Sequence, residues 1–104
     1  MRDMLAHGVT VGLGTDNGGI NDDDDMLQEI GLSQRLHRPP GLREQHVTAD
    51  QLLHMATIGG AVATTFGADM IGSLEPGKQA DLVLIDWDRV ESPYLDPSVA
   101  PLDA

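Results

Sequence analysis

The sequence predicts an α/β fold, and an incomplete one. Three observations point there. The alternating stretch from Val9 to Asp16 reads as a strand between two helical patterns. A strongly signalled helix begins at Val47, and beyond Gly67 the texture turns to β, ending in Leu82-Val83-Leu84-Ile85. A lone strand flanked by helices has no ladder partner within 104 residues, so its N–H and C=O groups would stay unsatisfied. The chain therefore reads as part of something larger.

In order, Arg2–His7 reads as the last turns of a helix, with Gly8 just past its end and His7 near the negative pole of the dipole. Val9, Val11 and Leu13 then alternate with Thr10, Gly12 and Gly14 along a strand that runs to Thr15 and Asp16. A glycine-rich loop, Asn17-Gly18-Gly19-Ile20-Asn21, leads to Asp22–Asp25. These acids are expected in the first turn of a second helix, where carboxylates meet the positive pole. Met26, Leu27, Ile30 and Leu36 mark its expected buried face, and Arg38-Pro39-Pro40-Gly41 ends it.

The third helix is the best specified. Thr48 and Gln51 have the spacing of a capping box, and Val47 and Leu52 that of a hydrophobic staple. Leu52, Met55, Ala56, Ala63 and Phe66 carry the helical apolar pattern, and Gly67 is expected to stop it. Gly59-Gly60-Ala61 lowers helix propensity but lets a neighbouring backbone come close. Gly72-Ser73-Leu74, a turn at Glu75-Pro76-Gly77-Lys78 and the run Leu82–Ile85 then read as a small β unit. Residues 91–104 hold three of the six prolines and read as extended chain.

Composition excludes whole classes of partner. Seventeen Asp and Glu against six Lys and Arg give a net charge of −11, which repels nucleic-acid phosphates and anionic membrane surfaces. Without cysteine there is no disulfide framework, thiolate zinc site or thiol nucleophile. No stretch approaches the roughly 20 apolar residues of a membrane-spanning helix, and Met1–Gly8 lack a signal-peptide core. Neither nucleic acid nor membrane is expected as a partner, and a cytoplasmic location is the default. One Trp, one Tyr and one Phe leave the core to Leu, Ile, Val, Met and Ala.

Among candidate chemical groups Asp16 comes first. It ends the predicted strand and enters a loop, and the carboxyl end of a parallel strand is where catalytic groups and ligands collect. Such a carboxylate serves as a metal ligand or general base, or simply as the side chain that caps the following turn. The acidic run from Asn21 suggests calcium, but an EF-hand register begun at Asn21 or at Asp16 lacks the required Gly and the closing acid. Gly12, Gly14, Gly18 and Gly19 do not complete a phosphate-loop spacing. His7, His37, His46 and His54 show no paired metal-ligand spacing.

Two segments together resemble the amidohydrolase superfamily. Val9-Thr-Val-Gly-Leu-Gly-Thr-Asp16 resembles its eighth barrel strand. Val47–Gly67, followed by Ile71-Gly-Ser-Leu-Glu-Pro-Gly-Lys-Gln-Ala-Asp-Leu-Val-Leu-Ile85, resembles its last barrel helix and the return into a small β-sandwich. The resemblance covers nearly the whole chain. It implies residues 1–67 as the end of helix seven, strand eight and helix eight of a (β/α)8 barrel, and residues 68–104 as part of the β-sandwich.

The implied activity is hydrolysis of non-peptide C–N bonds, deaminating or dechlorinating a purine, pyrimidine or triazine ring with a metal-activated water. The implied cofactor is one divalent ion, zinc or else iron, with Asp16 as metal ligand and proton shuttle. Asn17 and Asn21 are then candidate substrate contacts, with plain loop-forming asparagines as the alternative. Lys78 and Asp81 are read as structural despite their recognisable motif. The resemblance also implies a homo-oligomeric parent and a small heterocyclic substrate. The histidines that complete such metal sites have no match here, so the chain by itself is expected to be inactive. The competing expectations are a non-catalytic interaction module and a hydantoinase- or imidazolonepropionase-type hydrolase of cyclic amides.

Overall fold

The computed structural model describes residues 1–16, 23–38, 40–41, 46–91, 96 and 98. Helix α1 spans Arg2–Ala6, as predicted, and ends through Gly8 in the left-handed region (φ 71°). Gly8 N–H donates to Leu5 O at 3.0 Å and Val9 N–H to Met4 O at 2.9 Å, the pair of bonds that satisfies the last carbonyls of a helix. The His7 ring sits 2.7 Å from Asp3 O; a carbonyl only accepts, so Nδ1 carries the proton.

Helix α2 spans Met26–Leu36, and here two expectations are corrected. The described acids, Asp23–Asp25, precede the helix instead of filling its first turn, and Asp22 lies outside the described residues. Asp25 is the N-cap, accepting from Leu27 N–H and Gln28 N–H, while Asp23 accepts from Asp25 N–H and Gln28 Nε2. An Asp satisfies orphan N–H groups better from the cap than from inside the turn. The buried face is also narrower than predicted: Leu27 and Leu36 are exposed, and Ile30 and Ser33 face inward.

Thr48 opens the next helix with the predicted capping box, its Oγ1 accepting from Gln51 N–H at 3.2 Å and Gln51 Oε1 accepting from Thr48 N–H at 2.9 Å. Helix α3 (Ala49–His54), a π-helical turn (Met55–Gly59) and α4 (Gly60–Ala63) follow without a break. The helix stops at Ala63, short of Gly67, and Phe66 is exposed beyond its end. The core is built here. Val47, Leu52 and Met55 form its buried cluster, and Met1, Leu5, Val11, Leu13 and Ile30 pack around it. Burying Leu52 alone is worth about 2–3 kcal/mol.

The predicted strands do not form among the described residues. Val9–Asp16 and Leu82–Ile85 carry no regular secondary structure, and among the described residues there is no strand. A ladder needs a second strand, and none is offered to either segment by the described residues. The Leu82–Ile85 run is instead exposed, with Val83 and Leu84 more than four-fifths accessible. It leads into a short helix that was not predicted, α5 (Trp87–Glu91). The turn at Glu75–Lys78 does form, closed by Lys78 N–H to Glu75 O at 3.1 Å, with Gly77 at φ 95° in the position where a turn led by Pro76 requires positive φ. Gln79 N–H, just past the turn, donates to Met70 O at 2.9 Å. No helix among the described residues is long and apolar enough to cross a membrane.

Candidate functional site

Asp16 lies at the end of a segment anchored by its backbone to the central helix. Leu13 N–H donates to Met55 O at 3.0 Å. Met55 O also accepts from Gly60 N–H five residues on, the bond that makes this turn π-helical. One residue further along the interface, Gly59 faces the carbonyl of Val11 so closely that a Cβ there would overlap the oxygen. A Cβ on Gly12 would sit 3.3 Å from Gly60 Cα and 3.4 Å from Ala63 Cβ. The expected close backbone approach at Gly59-Gly60 is therefore realised, and its partner is the segment that carries Asp16.

Asp16 itself is exposed, with φ 58°, a left-handed backbone that Asp tolerates better than most residues with a Cβ. Its carboxylate is a hard oxygen donor of the kind that binds zinc or iron. Among the described residues, however, no three His, Asp or Glu side chains come together in a way that would hold a metal. The described residues do not make a metal centre by themselves, and Asp16 offers a single carboxylate donor. Asn17 and Asn21 lie outside the described residues.

The histidines do not converge on Asp16. His7 is engaged with the backbone of its own helix. His54 and Asp50, one turn apart on α3, line a groove of about 460 Å³ opposite Leu5 and Val9–Val11. Asp16 is not part of that groove.

Lys78 has a well-defined structural task. Its Nζ donates to Ser73 Oγ at 2.6 Å and to Glu75 Oε1 at 3.0 Å, and Ser73 Oγ in turn donates to Glu75 Oε1 at 2.5 Å. The Ser73 hydroxyl first, then the Lys78 ammonium by hydrogen bond and charge, hold the Glu75 carboxyl below its ordinary pKa. This closed triangle braces the turn. The group that sequence reasoning did not single out is the Met55 carbonyl, since a backbone acceptor created by a π turn leaves no side-chain signature; the adjacent glycines were its only trace.

Comparison with known proteins places the chain among hydrolases. A profile of the amidohydrolase family matches residues 1–102. An S-triazine hydrolase from Gordonia rubripertincta is 42% identical over 84 residues, which is 81% of this chain and 17% of that protein. A 5-methylthioadenosine/S-adenosylhomocysteine deaminase from Acetivibrio thermocellus is 38% identical over 96 residues, 91% of this chain and 22% of its own. A 5'-deoxyadenosine deaminase from Methanopyrus kandleri is 36% identical over 100 residues, 96% of this chain and 22% of its own. The chain thus spans about a fifth of the length of these relatives. No solved structure gives a significant match.

Proposed function

Because this chain belongs to the amidohydrolase family, whose fold is a TIM barrel, we propose that it supplies the Asp16 end of the active site in an enzyme hydrolysing C–N bonds of a heterocycle. In this reading residues 1–67 are the closing segment of the barrel, with Val9–Asp16 as its eighth strand once neighbouring strands supply the ladder. Residues 68–104 begin the β-sandwich. The observation that carries it is the kind of relative: one named for a triazine substrate and two for adenosine-type substrates. In both ring systems water attacks a ring carbon bonded to a ring nitrogen and displaces a substituent.

The part this chain plays is that of a carboxylate held at the mouth of the barrel. Asp16 accepts a proton from the attacking water at one Oδ and delivers it to the departing amine, so that the C–N bond breaks with ammonia as leaving group. A divalent ion, zinc or iron, supplies the acidification of that water when bound, with Asp16 as one ligand and its other ligands outside the described residues. Asn17 and Asn21, next along the loop, contact the ring substrate.

The test is Asp16→Asn and Asp16→Ala in a complete enzyme, made by joining this segment to the preceding portion of the triazine hydrolase relative. Turnover of aminated and chlorinated triazines and of 5-methylthioadenosine falls by about a thousandfold or more, and bound metal falls with it. Unchanged turnover and metal content would end the assignment. The 104-residue chain alone is inactive in the same assays.

A further inference from the structure

We infer that Gly59, the last residue of the π turn, is a positioning residue for Asp16; the link to catalysis rests on the reading of Asp16 given above, the structural link does not. Three contacts within a few residues carry the inference. The π turn leaves Met55 O able to serve Gly60 N–H and Leu13 N–H together. The missing Cβ of Gly59 lets the Val11 carbonyl reach the helix backbone, and the neighbouring atoms that a side chain would meet are backbone atoms of Val11 and His54, which cannot swing aside. Gly12 completes the seam against Gly60 and Ala63. Beyond Leu13 only Gly14 and Thr15 intervene before Asp16, so a shift of the seam is transmitted along a short piece of chain.

Two adjacent glycines on one helix separate this role from ordinary helix packing. A Cβ on Gly60 meets nothing nearer than Met55 O at 3.5 Å, an ordinary contact, whereas one on Gly59 collides. Glycine to alanine raises helix propensity equally at both positions. Any difference between the two variants therefore reports the seam and not the helix.

The experiment is amide hydrogen exchange and NMR of the 104-residue chain carrying Gly59→Ala, Gly60→Ala or Gly12→Ala. The Leu13 amide is protected in the native chain. Its protection falls about tenfold or more in Gly59→Ala, less in Gly12→Ala, and stays within about twofold of native in Gly60→Ala. The Leu52 amide, bonded to Thr48 O inside α3, stays protected in all three as a control for folding. The Asp16 amide and Cγ resonances move in the same order. If Gly59→Ala does not fold, the comparison of Gly12→Ala with Gly60→Ala decides. Equal Leu13 protection in those variants, or Asp16 resonances that ignore a broken Leu13 bond, overturns the inference. A catalytically silent Asp16 would overturn the proposed function while leaving this result standing.

Discussion

Thr48 and Gln51 cap one another: the hydroxyl of the first accepts from the N–H of the second, and the side-chain carbonyl of the second accepts from the N–H of the first. Between them they satisfy two of the N–H groups that a helix start leaves without partners. Thr48→Ala is expected to lower stability by about 1 kcal/mol, read as the urea midpoint of helical circular dichroism. Thr57, on the same helix, donates its hydroxyl back to Leu53 O at 2.7 Å. That bond adds no missing partner, so Thr57→Ala leaves the midpoint unchanged or slightly raised. Equal losses in the two variants would mean that the cap contributes nothing particular.

The same contrast explains what was readable in the sequence. The capping box, the Val47 and Leu52 pairing, the Gly8 stop and the Glu75–Lys78 turn are coded by residues within five positions of each other, and all four form. The strand expected at Val9–Asp16 does not form, because no second strand among the described residues faces it. Its pairing depends on chain that the described residues do not include. The π turn at Met55–Gly59 and the exposure of Leu27 and Leu36 are decided by which surfaces meet, and no periodicity encodes that. Trp87–Glu91 went unpredicted because the apolar run just before it suggested β structure to its end. Of the three candidate site residues, Asp16 is the one among the described residues, exposed and with φ 58°.

Core truncation should separate the two kinds of leucine. Leu52 is fully buried in the cluster with Val47 and Met55, so Leu52→Ala removes packing from the centre and is expected to cost about 2–5 kcal/mol. A small domain holds only about 5 kcal/mol in reserve, and the variant therefore melts without a cooperative transition. Leu36→Ala removes a side chain that is 71% exposed and changes stability by less than about 0.5 kcal/mol. A large loss at Leu36 would show that α2 is covered in solution by something else.

The Ser73–Glu75–Lys78 triangle makes a pH-dependent contribution whose sign is fixed. Glu75 titrates below the ordinary glutamate value because the Ser73 hydroxyl and the Lys78 ammonium both favour its charged form. A depressed folded-state pKa stabilises the fold above the unfolded value, and that contribution disappears as pH falls through the folded one. The NMR midpoint of Glu75 Cδ is expected below that of a free glutamate, and both Ser73→Ala and Lys78→Met move it up. Because Glu75 is solvent-exposed, added salt moves it in the same direction. A midpoint indifferent to both substitutions would mean that the triangle does not persist in solution.

Metal affinity distinguishes a ligand from a site. Asp16 is a competent donor, but tight zinc binding requires three or four ligands converging on one point, and the described residues bring no such set together. Calorimetric titration of the 104-residue chain with zinc is expected to show only weak binding, and Asp16→Asn leaves it unchanged. If Asp16 is a ligand as proposed, the same substitution in the completed enzyme is expected to lower zinc affinity by about 10-fold or more. Tight zinc binding by the short chain that Asp16→Asn abolishes would show a site assembled from this segment alone, and Asp16 would no longer be one donor contributed to a larger barrel.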